Sequence, residues 1–388
     1  MIYWPIPDDS DFDLAVVRRS RVCEIDLCLS SNWPLDLKRL ASAMEEPFPA
    51  LKHLEIESAF YTHPAPTLPD RFLGESAPHL QSLKLHCISF PALPKLLLSL
   101  TDLVHLTLLN IPRAGYFSPG EIVTGLAVLV NLKSLTVQFK SSLSHLDRER
   151  RHLPPPMRTA LSALSYFEFQ GAVEYLEDLM ARIDAPLLNS ISITCLPIAD
   201  HFIFDFLQLS QFMGRTASFQ ELHEAHVFFD CDCVEVNSLP PTRILDVRSE
   251  FRIRSEFLEW ELSSLVQVLT SFFHSIYTVE HLYITLPDNL ASRWINAVEN
   301  IQWLEVFRPF DAVKNLYLCK ETAQCIAPVL QERVGESVTN VLPALERIFL
   351  EELEASGPDE DAIGQFVTAR EVLGHPVAVS HWNHVRTP

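Results

Sequence analysis

One short apolar phrase returns along this chain and constrains its fold more than any other feature. Two apolar residues three positions apart are followed by another two positions on. The phrase reads Leu51-x-x-Leu54-x-Ile56, Leu80-x-x-Leu83-x-Leu85, Leu103-x-x-Leu106-x-Leu108, Leu132-x-x-Leu135-x-Val137, Leu164-x-x-Phe167-x-Phe169 and Leu188-x-x-Ile191-x-Ile193. It resumes as Val279-x-x-Leu282-x-Ile284, Val313-x-x-Leu316-x-Leu318 and Leu345-x-x-Ile348-x-Leu350. From Leu51 to Leu132 the phrases begin 29, 23 and 29 residues apart, and Val313 and Leu345 are 32 apart.

Residues two apart on a strand share a face, so the second and third apolar positions point into a core while their neighbours point out. Each phrase therefore predicts one short strand. A single unit cannot bury its apolar side alone, so units with this period stack, pair their strands in parallel and return along the outside. The expected class is α/β: an irregular leucine-rich-repeat solenoid with parallel strands on the concave side and helices on the convex side.

The return segments carry helix signals. Ser118-Pro119-Gly120-Glu121 is a capping box with proline at the first helical position. Ile122, Val123, Leu126 and Leu129 follow at helical spacing. Further helices are expected over 35–44, 173–183, 262–273, 294–307, 322–334 and 361–373. Proline punctuates the step back into a strand at 48–51, 77–80, 185–188 and 342–345, because it pushes the preceding residue out of the helical region.

The solenoid is expected to be irregular. Ile88 and Ile111 stand where regular repeats carry a buried asparagine or cysteine, and between 195 and 278 the phrase blurs, with 223–230 and 243–248 reading as strands without the full pattern. Residues 22–388 are expected to form one solenoid with a C-terminal helix and capping strand, after an N-terminal extension, 1–21. The basic, proline-rich stretch 147–159 reads as an exposed loop.

Formal net charge is −20, from 50 acidic and 30 basic residues. That opposes a nucleic-acid partner, whose binding depends on accumulated Lys and Arg. No apolar run approaches the roughly 20 residues that span a bilayer, and the first residues are acidic where a secretion signal is basic. Eight scattered cysteines in a chain of 388 residues read as reduced thiols. No membrane contact and an intracellular location, cytoplasmic or nuclear, are expected.

Motifs for chemistry are sparse. There is no G-x-x-x-x-G-K, G-x-G-x-x-G, G-x-S-x-G or H-E-x-x-H. The nearest ligand cluster is His223, His226, Asp230, Cys231, Asp232 and Cys233. On a strand His223 and His226 project to opposite faces, and Cys231 and Cys233 are closer than zinc pairs prefer. No metal, cofactor or catalytic residue is expected. The competing reading is a metal-dependent enzyme using 223–233. A divergent duplicate with no retained function is the third.

The outward positions of the strands make a better candidate. Toward the C-terminal end they gather aromatic residues, the class that most often anchors interfaces. The candidate protein-binding face is His281, Tyr283, Thr285, Asn315, Tyr317, Arg347 and Phe349, and its partner is expected to be a protein.

Several stretches resemble basidiomycete fungal F-box-like leucine-rich-repeat proteins. They are EEPFPALKHLEIES (45–58), GYFSPGEIVTGLAVLVNLKSLTVQF (115–139), YLEDLMARIDAPLLNSISIT (175–194), YTVEHLYI (277–284) and VLPALERIFLEELEASGPDEDAIGQFVTAREVLGHPVAVSHW (341–382). The resemblance implies a ubiquitin-ligase receptor whose F-box docks a Skp adaptor and whose repeats select the substrate. About 20 residues precede the first repeat-like strand at 22–27, fewer than an F-box needs, so Skp docking is expected only with an F-box upstream.

Overall fold

The computed structural model describes residues 2–3, 18–29, 44–58, 65–141, 157–196, 206–219, 223–229, 233–237, 250–256, 276–286, 300–332, 340–351 and 358–382. They fall into two compact units, 1–198 and 199–388. All but the last residue of the helix expected over 35–44, the helix expected over 262–273, the start of the helix expected over 294–307, the strand at 243–248 and most of the 147–159 loop lie outside the described residues.

In the first unit the strands are β1 (Ile2–Tyr3), β2 (Glu24–Leu29), β3 (His53–Ser58), β4 (Ser82–His86), β5 (His105–Ile111), β6 (Ser134–Phe139), β7 (Thr159–Ala160), β8 (Tyr166–Gly171), β9 (Ile183–Asp184) and β10 (Ser190–Cys195). All but β7 and β9 line up side by side and parallel in the order β1-β2-β3-β4-β5-β6-β8-β10. The short β7 and β9 pair separately, so the end of the proline-rich stretch contributes a strand where sequence predicted only loop.

The apolar phrase sets the register. Ile25, Leu54, Leu83, Leu106, Leu135, Phe167 and Ile191 are successive partners, and so are Leu27, Ile56, Leu85, Leu108, Val137, Phe169 and Ile193. Every member of both rows is buried. Fully burying one such side chain stabilises by about 1.5–3 kcal/mol, so a one-residue slip, which would turn a whole row to solvent, is strongly opposed.

A backbone clamp fixes the same register. The Lys52 carbonyl accepts from the amides of Gln81 and Ser82 (2.8 and 3.0 Å), and the Gln81 carbonyl from Val104 and His105 (2.8 and 3.0 Å). The double acceptance repeats at Val104, Lys133 and Ser165.

Helices α1 (Leu93–Leu97), α2 (Pro119–Leu126) and α3 (Val173–Arg182) lie in the returns from β4, β5 and β8, while the described part of the return into β4 carries a short 3-10 turn, Phe72–Glu75. The capping box at the start of α2 is present in full: Ser118 Oγ accepts from the Glu121 amide, and the Glu121 carboxylate accepts from the Ser118 amide. Gly125 brings α2 against α1 so closely that a Cβ there would lie 2.8 Å from Leu97 Cβ.

In the second unit the strands are β11 (Glu224–Phe229), β12 (Cys233–Asn237), β13 (Glu250–Glu256), β14 (His281–Thr285), β15 (Asn315–Leu318), β16 (Arg347–Glu351) and β17 (Ala378–Trp382). Their order is β13-β12-β11-β14-β15-β16-β17. From β11 to β17 through β14, β15 and β16 the pairing is parallel, as the phrase predicts. β12 is antiparallel to both β11 and β13. That departs from an all-parallel solenoid: β12 follows β11 too closely for the crossover that a parallel pair requires.

Ala225, Leu282, Leu316, Ile348 and Val379 share one row, and Val227, Ile284, Leu318 and Leu350 the next. The carbonyl clamp recurs at His223, Glu280 and Lys314. The helices are α4 (Leu207–Arg215), α5 (Asn300–Phe307), α6 (Lys320–Glu332) and α7 (Pro358–Val372). α6 packs against α5, α7 and the strands β14, β15 and β16.

Candidate functional site

Opposite the buried Leu282, Leu316, Ile348, Ile284, Leu318 and Leu350, strand alternation leaves Tyr283, Tyr317 and Phe349 half-buried between core positions. Parallel register makes them successive partners, with His226 preceding Tyr283. The rings stack: His226 on Tyr283 at 4.1 Å and 8°, Tyr283 on Tyr317 at 4.0 Å and 9°, Tyr317 on Phe349 at 4.4 Å and 5°. Neighbouring strands lie about 4.8 Å apart, so in-register aromatics on one face have room for ring-on-ring contact and little else.

Trp382 closes the ladder from outside. Its ring lies 5.9 Å from Tyr283 at 64° and 5.5 Å from Tyr317 at 74°. Both tyrosine faces are already occupied by stack neighbours, so the indole meets their edges. Its Nε1 donates to the Leu318 carbonyl at 3.4 Å.

The remaining candidate residues border the stack. His281 lies 6.1 Å from Tyr317 at 24°, with Nδ1 3.3 Å from the Tyr317 hydroxyl. The Arg347 guanidinium sits over Phe349, 5.7 Å from the ring centroid. Asn315 pairs in register with His281 on one side and Arg347 on the other. Thr285 pairs with Phe228 at the far end of β14, outside the stack. Sequence reasoning thus brought together Tyr283, Tyr317 and Phe349 but missed two members. The signal for His226 was the Ala225-x-Val227 alternation, and for Trp382 its place one pleat beyond Ser380 on a strand that lacks the phrase.

His226, taken from the sequence as a member of a ligand cluster, has another role. Its Nε2 lies 2.8 Å from Glu224 Oε1 and its ring belongs to the stack. Asp230, Cys231 and Asp232 lie outside the described residues.

Another cluster brings the ligand atoms of Cys319, Glu321 and Glu351 within 4.8 Å of one another. These groups serve the start of α6. Glu351 accepts from the Lys320 amide at 3.3 Å, the Cys319 sulfur lies 2.9 Å from the Thr322 hydroxyl, and Glu321 occupies the first turn. Carboxylates there answer the helix dipole. Burial pushes the Cys319 thiol up, against opposing hydrogen bonds from Leu286 and Thr322, which keeps it protonated.

The corresponding face of the first unit is polar and satisfied internally. Lys84 meets Glu55 at 2.6 Å, His86 meets Glu57 at 2.8 Å, and Glu168 accepts from Gln138 and Tyr166, both at 2.8 Å. Desolvation, followed by the nearby Glu55 charge, raises the Asp26 carboxyl. Among the described residues no helix is long and apolar enough to cross a membrane.

The class these features define is a mixed α/β protein with parallel strands set in register by a repeated apolar phrase. No family model matches the chain. None of the curated proteins matches it either. Among solved structures it is similar to the crystal structure of LegL7, a leucine-rich repeat-containing protein from Legionella pneumophila. The identity is 11%, covering 78% of this chain and 83% of that one, with a TM-score of 0.30.

Proposed function

We propose that the chain is a non-enzymatic protein-recognition module, that residues 22–388 are an irregular leucine-rich-repeat region running through both units, and that its partner is held on the ring stack of the second unit. The observation that carries this reading is the stack itself. Four rings and an edge-on tryptophan share one strand face, and aromatic side chains contribute most to interfaces because they offer large area at small entropy cost. The recurrence of both the phrase and the carbonyl clamp in each unit supports the repeat reading.

The chain is proposed to work inside the cell. Among the described residues Cys23, Cys28, Cys87, Cys195 and Cys319 are free thiols, which suits a reducing compartment. A role as the substrate-selecting part of an F-box-type ubiquitin ligase rests on the sequence resemblance alone. Its test is whether a Skp adaptor co-purifies with the product of the whole gene.

Affinity capture tests the recognition reading. Proteins retained by the wild-type chain are expected to be lost with Tyr283→Ala plus Tyr317→Ala, a variant first shown to be folded by circular dichroism. An unchanged set of retained proteins would remove the stack from the account.

A further inference from the structure

We infer that the stack face of the second unit selects an extended peptide carrying a single carboxylate beside an aromatic or large apolar residue, with Arg347 as the carboxylate's partner. This inference rests on the recognition reading above and specifies its partner's chemistry.

Arg347 opens β16 and is exposed. Among the described residues its guanidinium interacts with the Phe349 ring and with no carboxylate, whereas Lys84, Lys314 and Arg182 are each held by a carboxylate at 2.6–2.8 Å. A guanidinium resting on a ring keeps its fork of donors free, and that fork matches a carboxylate bidentately. In register beside it stand Asn315, then His281, which faces the Tyr317 hydroxyl, and beyond them Glu224, whose carboxylate is held by His226 at 2.8 Å. One pleat away, about 7 Å along the strands, lies the row Tyr283, Tyr317 and Phe349.

The stack also sets the sign of the ligand. Because both faces of Tyr283 and of Tyr317 are covered by stack neighbours, a ligand cation finds no open tyrosine face for cation–π contact, while an acidic group meets Arg347. A phosphate dianion is disfavoured, since phosphopeptide sites use clusters of arginine and this row holds one permanent cation. A run of acids is opposed by the net charge of −20. One acid flanked by apolar residues answers all three constraints.

The test is selection from a random peptide display library on the full-length chain, in parallel for wild type, Arg347→Gln, and Tyr283→Ala with Tyr317→Ala. Wild type is expected to enrich peptides with Asp or Glu one or two positions from an aromatic or large apolar residue. A chosen peptide should bind Arg347→Gln roughly tenfold more weakly, and its Glu→Gln version should bind wild type and Arg347→Gln alike. Equal affinity of the acidic peptide for wild type and Arg347→Gln overturns the inference. So does enrichment of Lys and Arg, or tighter binding of a phosphoserine version. If Tyr283→Ala with Tyr317→Ala abolishes binding while Arg347→Gln changes nothing, only the acid preference falls. Full binding by the tyrosine variant, or no enrichment at all, overturns the stack as the site.

Discussion

The guanidinium of Arg370, on α7, donates to the carbonyl of Leu342 at 3.1 Å, and Leu342 holds a left-handed backbone at φ 49°. The same guanidinium donates to the carbonyls of Val341 and Pro343 at 3.0 and 3.2 Å. Arg370 is 1% exposed and no ion pair to it is seen among the described residues. Burial lowers its pKa. It fastens the helix to the turn that feeds β16, a turn whose leucine pays about 1–2 kcal/mol for its conformation.

Replacing Arg370 with Lys should loosen this turn, because a single ammonium cannot reach three carbonyls in the geometry of a planar fork. The Leu342 carbonyl keeps the Leu345 amide at 2.9 Å and Pro343 is exposed, so the cost falls on the buried Val341 carbonyl, where losing the donor costs about 1–3 kcal/mol. Amide exchange across α7 is expected to accelerate about tenfold or more. Unchanged exchange would mean that the apolar side of α7, through Ile363 and Phe366, holds the turn by itself.

Tyr283 and Tyr317 should be energetically coupled. Stacked pairs contribute about 0.5–1.5 kcal/mol beyond their buried area. A double-mutant cycle with Tyr283→Leu and Tyr317→Leu, read by chemical denaturation of the second unit, should return a coupling in that range. A coupling near zero would contradict ring-on-ring contact.

Burial pushes the Cys195 thiol up to about 12, with the Glu174 and Glu177 charges adding to it. In the unfolded chain the thiol ionises near 9. A raised folded value means that this contribution to stability is complete below pH 9 and is lost as pH rises from 9 toward 12. The stability advantage of wild type over Cys195→Ala should therefore shrink across that window. A difference that stays constant with pH would place the thiol in a more polar setting.

Two glycines should respond in opposite directions to alanine. At Gly125 the new methyl meets Leu97 Cβ at 2.8 Å, and overpacking of this kind costs about 1–3 kcal/mol. At Gly364, inside α7, no atom lies within 4 Å of the added Cβ, and the better helix propensity should stabilise by up to about 1 kcal/mol. Thermal unfolding of the two variants checks both signs.

Much of this could be read from residue order. The phrase placed Leu83, Leu106, Leu135 and Leu316 in buried rows, and Ser118 with Glu121 marked the start of α2. Tyr283, Tyr317 and Phe349 followed from strand alternation. Other parts had no sequence signature. The carbonyl clamps are backbone interactions that any residue can make. Arg370 resembles an ordinary basic residue in the last turn of a helix, and its acceptors are carbonyls of a turn. The antiparallel β12 and β13 sit where the phrase fails, and the Ala225-x-Val227 alternation shows which face His226 takes but not that β11 pairs with β14.

We propose that partner recognition belongs to the stacked face of the second unit and not to the polar face of the first. Affinity of a library-selected peptide for full-length Tyr317→Ala and Thr107→Ala tests it most directly. An interface anchor contributes 2 kcal/mol or more, roughly thirtyfold in affinity. A loss of about that size is expected for Tyr317→Ala and no change for Thr107→Ala; equal losses, or none at Tyr317, would place recognition off the stack.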